Sequence, residues 1–209
     1  MQTPEPIKQY AGGRVGLLGS FGAVHEMPAT PWPEIAFAGR SNVGKSSAIN
    51  KLLNTKKVAR VSGTPGRTQR INLFTVEKRL IFADLPGYGF AKVPAEVKSH
   101  WKGMIEGYLG GREALKLVVV VVDSRHGVQN LDAEMIWGLR QAHIPLLVLA
   151  TKVDKIKRSK RAAALKEIRK PLGLSTQQII AFSSLEGLGV EETWRVLNAV
   201  AVGQELDLP

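Results

Sequence analysis

Residues 39–46 read Gly39-Arg40-Ser41-Asn42-Val43-Gly44-Lys45-Ser46, and they are the most informative segment of the chain for its fold. It follows an apolar run, EIAFAG, that is typical of a short strand, and it opens a run, KSSAINKLLN, with the spacing of a helix. The pattern G-x-x-x-x-G-K-[ST] between a strand and a helix is typical of a phosphate-binding loop, because glycines let the loop wrap until its amides point at phosphate oxygens. The helix N-terminus adds partial positive charge. The stretch therefore predicts a nucleoside triphosphate site and leaves the base open.

Two side chains of this loop have the chemistry that a triphosphate needs. Lys45 is expected to bridge the β- and γ-phosphates, and the Ser46 hydroxyl is expected to ligate Mg²⁺. The alternative is a chance match in a glycine-rich turn, which the flanking strand and helix disfavour.

The rest of the chain alternates between strand and helix patterns. Strands are predicted at 34–39, 71–77, 79–84, 115–123, 145–152 and 178–184, and helices at 45–54, 98–109, 132–142, 159–172 and 190–201. The run LKLVVVVVD is apolar on both faces, which is typical of a central parallel strand covered by helices on each side. We therefore predict a three-layer α/β domain over 34–203. Residues 1–33 are expected to form an irregular leader with one strand near 15–18, and 204–209 a flexible end.

Two further segments are candidates for sensing the metal and the γ-phosphate. In D-L-P-G, the Asp84 carboxylate can hold the hydration shell of Mg²⁺ and the Gly87 amide can reach the γ-phosphate; the alternative is an ordinary turn. In the preceding loop, a threonine can place its hydroxyl on Mg²⁺ and its amide on the γ-phosphate. Thr64 and Thr68 both qualify, and a plain polar turn is the alternative.

A third motif, T-K-V-D at 151–154, follows a strand and predicts guanine recognition. The Asp154 carboxylate can accept hydrogen bonds from guanine N1–H and the exocyclic amine, and adenine has no such pair of donors. The stem of Lys152 can lie over the base plane. Ser183 and Ser184 would complete the base pocket; the alternative is a helix N-cap, and the two roles can coexist.

The composition excludes several classes of protein and points to a polyanionic partner. The chain has 209 residues, no cysteine and a formal net charge of +11, which excludes disulfides and a thiol nucleophile. Residues 55–70 carry +5 and residues 152–170 carry +7, so the basicity lies in two patches that favour nucleic acid over a merely solvated surface. No apolar run approaches the ~18 residues of a membrane helix. We expect a cytoplasmic monomer that contacts no membrane.

With these motifs in place, the chain resembles the EngB (YihA/YsxC) family of ribosome-biogenesis GTPases, within the TRAFAC class. The resemblance covers roughly residues 10–203 and rests on GRSNVGKSSAIN, TPGRTQRINLF, DLPGYGFAKV and TKVDK. It implies a Ras-like G domain that binds GTP and GDP with Mg²⁺, acts in assembly of the large ribosomal subunit and is needed for normal cell division. The partners that it implies are the large-subunit precursor and its rRNA, contacted through the patches at 55–70 and 152–170.

The resemblance also assigns residues. It favours Thr68 over Thr64, gives Lys45, Thr68 and Gly87 catalytic roles, and implies Ser46 and Thr68 as metal ligands with Asp84 acting through water. The nucleotide-binding set that it implies comprises Gly39, Arg40, Ser41, Asn42, Val43, Gly44, Lys45, Ser46, Ser47, Gly66, Arg67, Thr68, Gln69, Arg70, Asp84, Leu85, Pro86, Gly87, Thr151, Lys152, Val153, Asp154, Phe182, Ser183 and Ser184.

Three positions in these motifs carry expectations of their own. Thr151 stands where Asn is commoner and can tether neighbouring loops less well, so we expect modest nucleotide affinity. Tyr88 stands where Ras-like enzymes carry the water-orienting Gln, so we expect slow intrinsic hydrolysis. Asn42 either holds K⁺ beside the phosphates, as in related GTPases, or stabilises the loop.

Two other classes of protein compete with this reading, and the aromatic residues carry a separate expectation. The competitors are a phosphotransferase or other ATP-driven P-loop enzyme, and an RNA-binding module with a vestigial or regulatory nucleotide site. Trp101, Trp137 and Trp194 occupy apolar helical positions and are predicted to lie in the core.

Overall fold

The computed structural model describes residue 7 and residues 15–55, 70–89 and 95–204, and for 95–102 it describes the backbone only. The strands are β1 (Val15–Phe21), β2 (Glu34–Gly39), β3 (Ile71–Val76), β4 (Leu80–Asp84), β5 (Leu115–Asp123), β6 (Leu146–Thr151) and β7 (Ile179–Ala181). The helices are α1 (Lys45–Leu52), α2 (Ala95–Gly111), α3 (Asn130–Gln141), α4 (Arg158–Arg169) and α5 (Val190–Ala201).

The seven strands within the described residues form one sheet in the order β1-β3-β4-β2-β5-β6-β7. The pairs β4/β2, β2/β5, β5/β6 and β6/β7 are parallel, whereas β3 pairs antiparallel with β4 and with β1. The strand expected near 15–18 is β1, which is longer than predicted and lies at one edge of the sheet.

Helices cover both faces of the sheet, which confirms the predicted three-layer α/β fold. Strand β5 shows why, because its buried valines alternate between two separate cores: Val119 and Val121 pack on one face, and Val118 and Val120 on the other. The first core includes α1 and α5, and the second includes α2, α3 and α4. A strand that is apolar on both faces is stable only where both faces are covered.

The prediction for the tryptophans is correct for one and wrong for another. Trp194 is buried, its indole N–H donates to the Leu52 carbonyl at 3.0 Å, and its ring stacks on Phe82. Trp137 is 66% exposed, because α3 turns Ile136 and Leu139 toward the sheet and position 137 projects away from it. The side chain of Trp101 lies outside the described residues.

The topology brings the predicted motifs to a single edge of the sheet. Parallel strands end at the same edge, so the segments that follow β2, β4, β5, β6 and β7 are neighbours there. The register shows this, since Gly39 at the end of β2 is opposite Val121, and Asp123 is opposite Thr151. The candidate site is built on this edge.

Candidate nucleotide-binding site

The phosphate loop is a tight connection from β2 into α1. A Cβ atom on Gly39 would lie 2.8 Å from the Val121 carbonyl oxygen, so only glycine allows the loop to start this close to β5. Gly44 caps α1 with φ of 101°, in the left-handed region that favours glycine. The helix therefore begins at Lys45, and its free amides point into the loop.

Lys45 and Asp84 form an ion pair across the loop. The ammonium group contacts Asp84 Oδ1, and the side chains are 11% and 5% exposed. Both charges are largely shielded from water, so their attraction is stronger than that of a surface pair. The predicted phosphate lysine and the predicted metal-side carboxylate are thus together, with Ser46 the next residue on α1.

The D-L-P-G segment continues along the phosphate loop after β4 ends. The Leu85 amide donates to the Phe37 carbonyl at 3.1 Å, and the Tyr88 amide donates to the Gly39 carbonyl at 3.2 Å. Gly87 lies so close to the loop that an added Cβ atom would be 3.1 Å from the Ser41 hydroxyl. The predicted γ-phosphate glycine is therefore adjacent to the loop that would hold the phosphates.

The T-K-V-D motif is bonded to the phosphate loop through its first two residues. The Thr151 hydroxyl lies 2.5 Å from the Val43 carbonyl oxygen and 3.1 Å from that of Val122. The Lys152 ammonium donates to the Asn42 carbonyl at 2.6 Å. Lys152 has φ of 60°, an unusual backbone conformation for a residue with a long side chain. Thr151 therefore makes the loop-to-loop tether for which the sequence suggested it was poorly suited.

Asp123, at the end of β5, holds Lys152 in place. Its carboxylate accepts a hydrogen bond from the Lys152 ammonium at 2.8 Å and from the Arg125 guanidinium at 2.7 Å. Burial alone would raise the pKa of Asp123, but hydrogen bonds from Arg125 and Lys152 outweigh it, and the pKa lies well below its usual range. Asp123 also caps the following turn, because it accepts from the Arg125 amide at 3.1 Å.

The base-reading carboxylate is held by a serine that follows β7. Ser183 is fully buried, its hydroxyl donates to Asp154 Oδ1 at 2.8 Å, and it accepts from the Glu186 amide at 3.0 Å. Phe182 is buried beside it, and its carbonyl accepts from the Val153 amide at 3.4 Å. The two segments therefore meet as predicted.

The alternative role of the serine pair as a helix cap is wrong, because Gly189 caps α5. Ser184 is partly buried next to Ser183.

Part of the predicted site lies outside the described residues: Thr64, Gly66, Arg67, Thr68 and Gln69. The choice between the two threonines as the metal ligand therefore stays a prediction.

Arg70 is exposed, and its guanidinium donates to the Ser20 carbonyl of β1 at 3.4 Å. Asn42 has φ of 65°, which agrees with a loop-stabilising role; its role in binding K⁺ stays a prediction that rates in KCl and NaCl can test.

Among the residues that the structure describes, no helix is both long and apolar enough to cross a membrane. Within the same ranges, no group of three or more His, Cys, Asp or Glu side chains is arranged to hold a metal ion.

Comparison with known proteins gives consistent matches across most of the chain. A family model described as a 50S ribosome-binding GTPase matches residues 34–152. Probable GTP-binding proteins EngB from Pelotomaculum thermopropionicum and Geobacter metallireducens are 51% and 48% identical, over 83% and 85% of this chain and 88% of each relative.

Solved structures show the same similarity. A crystal structure of a probable GTP-binding protein EngB has a TM-score of 0.68 at 28% identity, covering 82% of this chain and 100% of that one. Era in complex with MgGDPNP and nucleotides 1506–1542 of 16S ribosomal RNA has a TM-score of 0.65 at 25% identity, covering 87% of this chain and 63% of that one.

Proposed function

Because this chain belongs to the EngB family of GTP-binding proteins and is a GTPase, we propose that it acts as a nucleotide-dependent switch that binds the large ribosomal subunit precursor during its assembly. Support for the ribosomal partner comes from the family description, a 50S ribosome-binding GTPase, and from the basic surface described below. A role in normal cell division would follow, because division depends on newly assembled ribosomes. A cytoplasmic location would follow if the chain binds the large-subunit precursor there.

Guanine specificity is supported by one contact above all, the hydrogen bond from the Ser183 hydroxyl to Asp154. This bond occupies one carboxylate oxygen and orients the group, and the other oxygen, Oδ2, is 3.6 Å from the Lys155 ammonium. Each carboxylate oxygen can accept two hydrogen bonds, so both keep capacity for the paired donors of guanine, which adenine lacks. Effective competition by ATP against a fluorescent GDP derivative would instead support the phosphotransferase alternative.

A magnesium ion fits the donors at this site. The Ser46 hydroxyl and the Asp84 carboxylate are hard oxygen donors at the mouth of the phosphate loop, and Mg²⁺ keeps several waters and binds through few protein ligands plus phosphates. We propose that Ser46 is a direct ligand and that Asp84 acts through water, with Thr68 as a further ligand. The ion would neutralise charge on the β- and γ-phosphates.

The proposed RNA-binding surface is on α4. Some basic side chains of this region are held by other groups of the protein, and others form no ion pair within the described residues. Arg161 pairs with Glu186 at 3.2 Å, Arg169 donates to the Leu174 carbonyl at 3.1 Å, and Lys152 is held by Asp123. Lys155 is exposed but pairs with Asp154 at 3.6 Å. The remaining five basic side chains of 152–170 are exposed, and none of them forms an ion pair with a residue in the described part of the chain. These five define the α4 basic surface: Lys157, Arg158, Lys160, Lys166 and Lys170.

Lys157, Arg158 and Lys160 lie at the start of α4, directly after the guanine motif, so their contacts would be the closest to the nucleotide. Lys166 and Lys170 lie at the other end of the helix. Lysine and arginine side chains without protein partners can bind phosphates and release counterions, which makes binding fall with salt. Of the other basic patch, Lys56, Lys57, Arg60 and Arg67 are outside the described residues. That patch stays a prediction.

The test is a salt titration of binding to large-subunit precursor particles. Lys157→Ala with Lys160→Ala removes two phosphate contacts, so the slope of log affinity against log salt should become shallower by about 1.4–1.8. The matched control is Lys78→Ala with Lys116→Ala, which removes two exposed lysines elsewhere and should leave the slope unchanged. An equal effect of both pairs would contradict the α4 surface.

The same particles test the switch itself. Tighter binding with a non-hydrolysable GTP analogue than with GDP supports it, and equal binding favours the alternative of an RNA-binding module with a vestigial or regulatory nucleotide site.

A further inference from the structure

Tyr88, the residue after the γ-phosphate glycine, is tied to the first turn of α3. Its hydroxyl donates a hydrogen bond to Asp132 Oδ1 at 3.1 Å. Asp132 is 1% exposed, and its other oxygen accepts from the Gln129 amide at 3.1 Å, which caps the helix. The Arg40 guanidinium of the phosphate loop is 3.9 Å from the same carboxylate.

The main chain of Tyr88 is fixed at the same time to the phosphate loop. Its amide donates to the Gly39 carbonyl at 3.2 Å, and its carbonyl accepts from the Ser41 amide at 3.1 Å. Tyr88 is thus held at both ends, by its backbone on the loop and by its side chain on α3. Gly87, which precedes it, is therefore restrained beside Ser41 despite the freedom of a glycine backbone.

The groups around the Tyr88–Asp132 hydrogen bond partly compensate for the burial of the Asp132 carboxylate. A buried carboxylate is costly unless hydrogen bonds and nearby cations satisfy it. Burial raises the pKa of Asp132 above its ordinary value, and the Gln129 amide, the Tyr88 hydroxyl and the Arg40 charge oppose this rise in part. Phosphate loop, D-L-P-G segment and α3 thus converge on one acidic group.

We propose that Asp132 is a positioning residue for GTP hydrolysis: it holds the Tyr88 side chain and thereby places the Gly87 amide where the γ-phosphate binds. The inference rests on the GTPase activity and is independent of the ribosomal partner. It assigns Tyr88 a role other than the water-orienting one that Gln has in Ras-like enzymes, because the phenol is bonded to α3.

The test compares Tyr88→Phe with a matched variant at the opposite end of the sheet. Tyr108 also donates from a phenol to a buried carboxylate, Glu34, at 2.9 Å, so Tyr108→Phe removes the same kind of bond far from the nucleotide. Tyr88→Phe should lower kcat for GTP by roughly 10- to 150-fold, the range for a hydrogen bond to a charged group, and weaken binding of a non-hydrolysable GTP analogue. GDP affinity should change less than about twofold, since GDP has no γ-phosphate. Tyr108→Phe should leave all three values near wild type.

A double-mutant cycle with Asp132→Asn completes the test. The asparagine keeps the size of the side chain but has one acceptor oxygen for two donors, so kcat should fall on its own and fall no further in the Tyr88→Phe background. Hydrogen exchange of the Ser41 amide should quicken in Tyr88→Phe and stay protected in Tyr108→Phe. An unchanged kcat, additive losses in the cycle, or equal weakening of GDP and analogue would each overturn the proposal.

Discussion

The Thr151 hydroxyl lies 2.5 Å from the carbonyl oxygen of Val43, so the guanine motif is bonded directly to the phosphate loop. A second carbonyl, that of Val122, is 3.1 Å away, but a hydroxyl has one hydrogen and can donate to only one acceptor at a time. Asparagine has two amide hydrogens at a comparable distance from its backbone. Thr151 therefore does connect the guanine motif to the phosphate loop, but with one donor hydrogen where asparagine would have two. Modest nucleotide affinity stays a prediction.

Removing this tether should weaken all guanine nucleotides alike. Thr151→Val keeps the shape and loses the hydroxyl, and we expect GDP and a GTP analogue to bind about 5- to 10-fold more weakly, the effect of one hydrogen bond. Thr193→Val is the matched control, since Thr193 is a buried threonine that donates to the Gly189 carbonyl at 2.7 Å in α5. Titration with fluorescent GDP and a fluorescent GTP analogue measures the affinities of both variants. Equal losses in the two variants would mean a general effect on folding.

Changing the base-reading carboxylate should change the preferred base. In Asp154→Asn the side chain can donate as well as accept, so it suits xanthine, whose 2-carbonyl replaces the guanine amine. We expect GDP affinity to fall more than about 100-fold and xanthosine diphosphate to bind better than GDP. Ser183→Ala should weaken GDP only several-fold and keep the preference for guanine, because it removes the group that orients Asp154. Retained selectivity in Asp154→Asn would contradict the assignment.

Asp123 should stabilise the fold in a pH-dependent manner. Its folded-state pKa is lowered from an ordinary value of 3.8, so its contribution is fully present above about pH 4 and is lost as the pH falls further. Asp123→Asn should therefore unfold at lower urea concentration than wild type at pH 7 and at pH 5. This difference in the urea concentration of unfolding between wild type and variant, the gap, should narrow between pH 4 and pH 3. A gap that is constant over this range would show that Arg125 and Lys152 do not lower this pKa.

Intrinsic GTP hydrolysis should be slow. The Tyr88 phenol is bonded to α3, and a phenol cannot orient water as glutamine does, so we expect turnover well below about 1 s⁻¹ and nearer the intrinsic Ras rate of about 10⁻⁴ s⁻¹. Single-turnover release of phosphate from the purified protein measures it. A rate of about 1 s⁻¹ or faster without a partner would contradict the prediction.

The motifs could be predicted from the sequence because they depend on local chemistry. The phosphate loop needs glycines followed by Lys45, and the base reader needs a carboxylate after a strand; each requirement is visible in a few consecutive residues. Strand β5 was equally predictable, because a strand buried on both faces must be apolar throughout. The order of the motifs then placed them at one edge of a parallel sheet.

The partners of individual side chains could not be predicted, because they are set by distances across the fold. Trp137 and Trp194 occupy similar helical patterns, yet only the packing of α3 and α5 decides which ring is buried. The nine basic residues of 152–170 look alike in sequence, and the structure shows which of them already have an acceptor.

The phosphate loop, the base reader and the three-layer fold follow from the local order and polarity of residues, so they can be predicted from sequence alone. The contacts of Tyr88 with Asp132, 44 residues away, and of Thr151 with Val43, 108 residues away, arise only when the chain is folded. A hydrogen bond depends on a separation of about 3 Å between two atoms, and no local pattern encodes that distance across the fold. For the same reason, the sequence shows only that Tyr88 stands where other GTPases have glutamine. The structure shows that its phenol is bonded to Asp132 of α3.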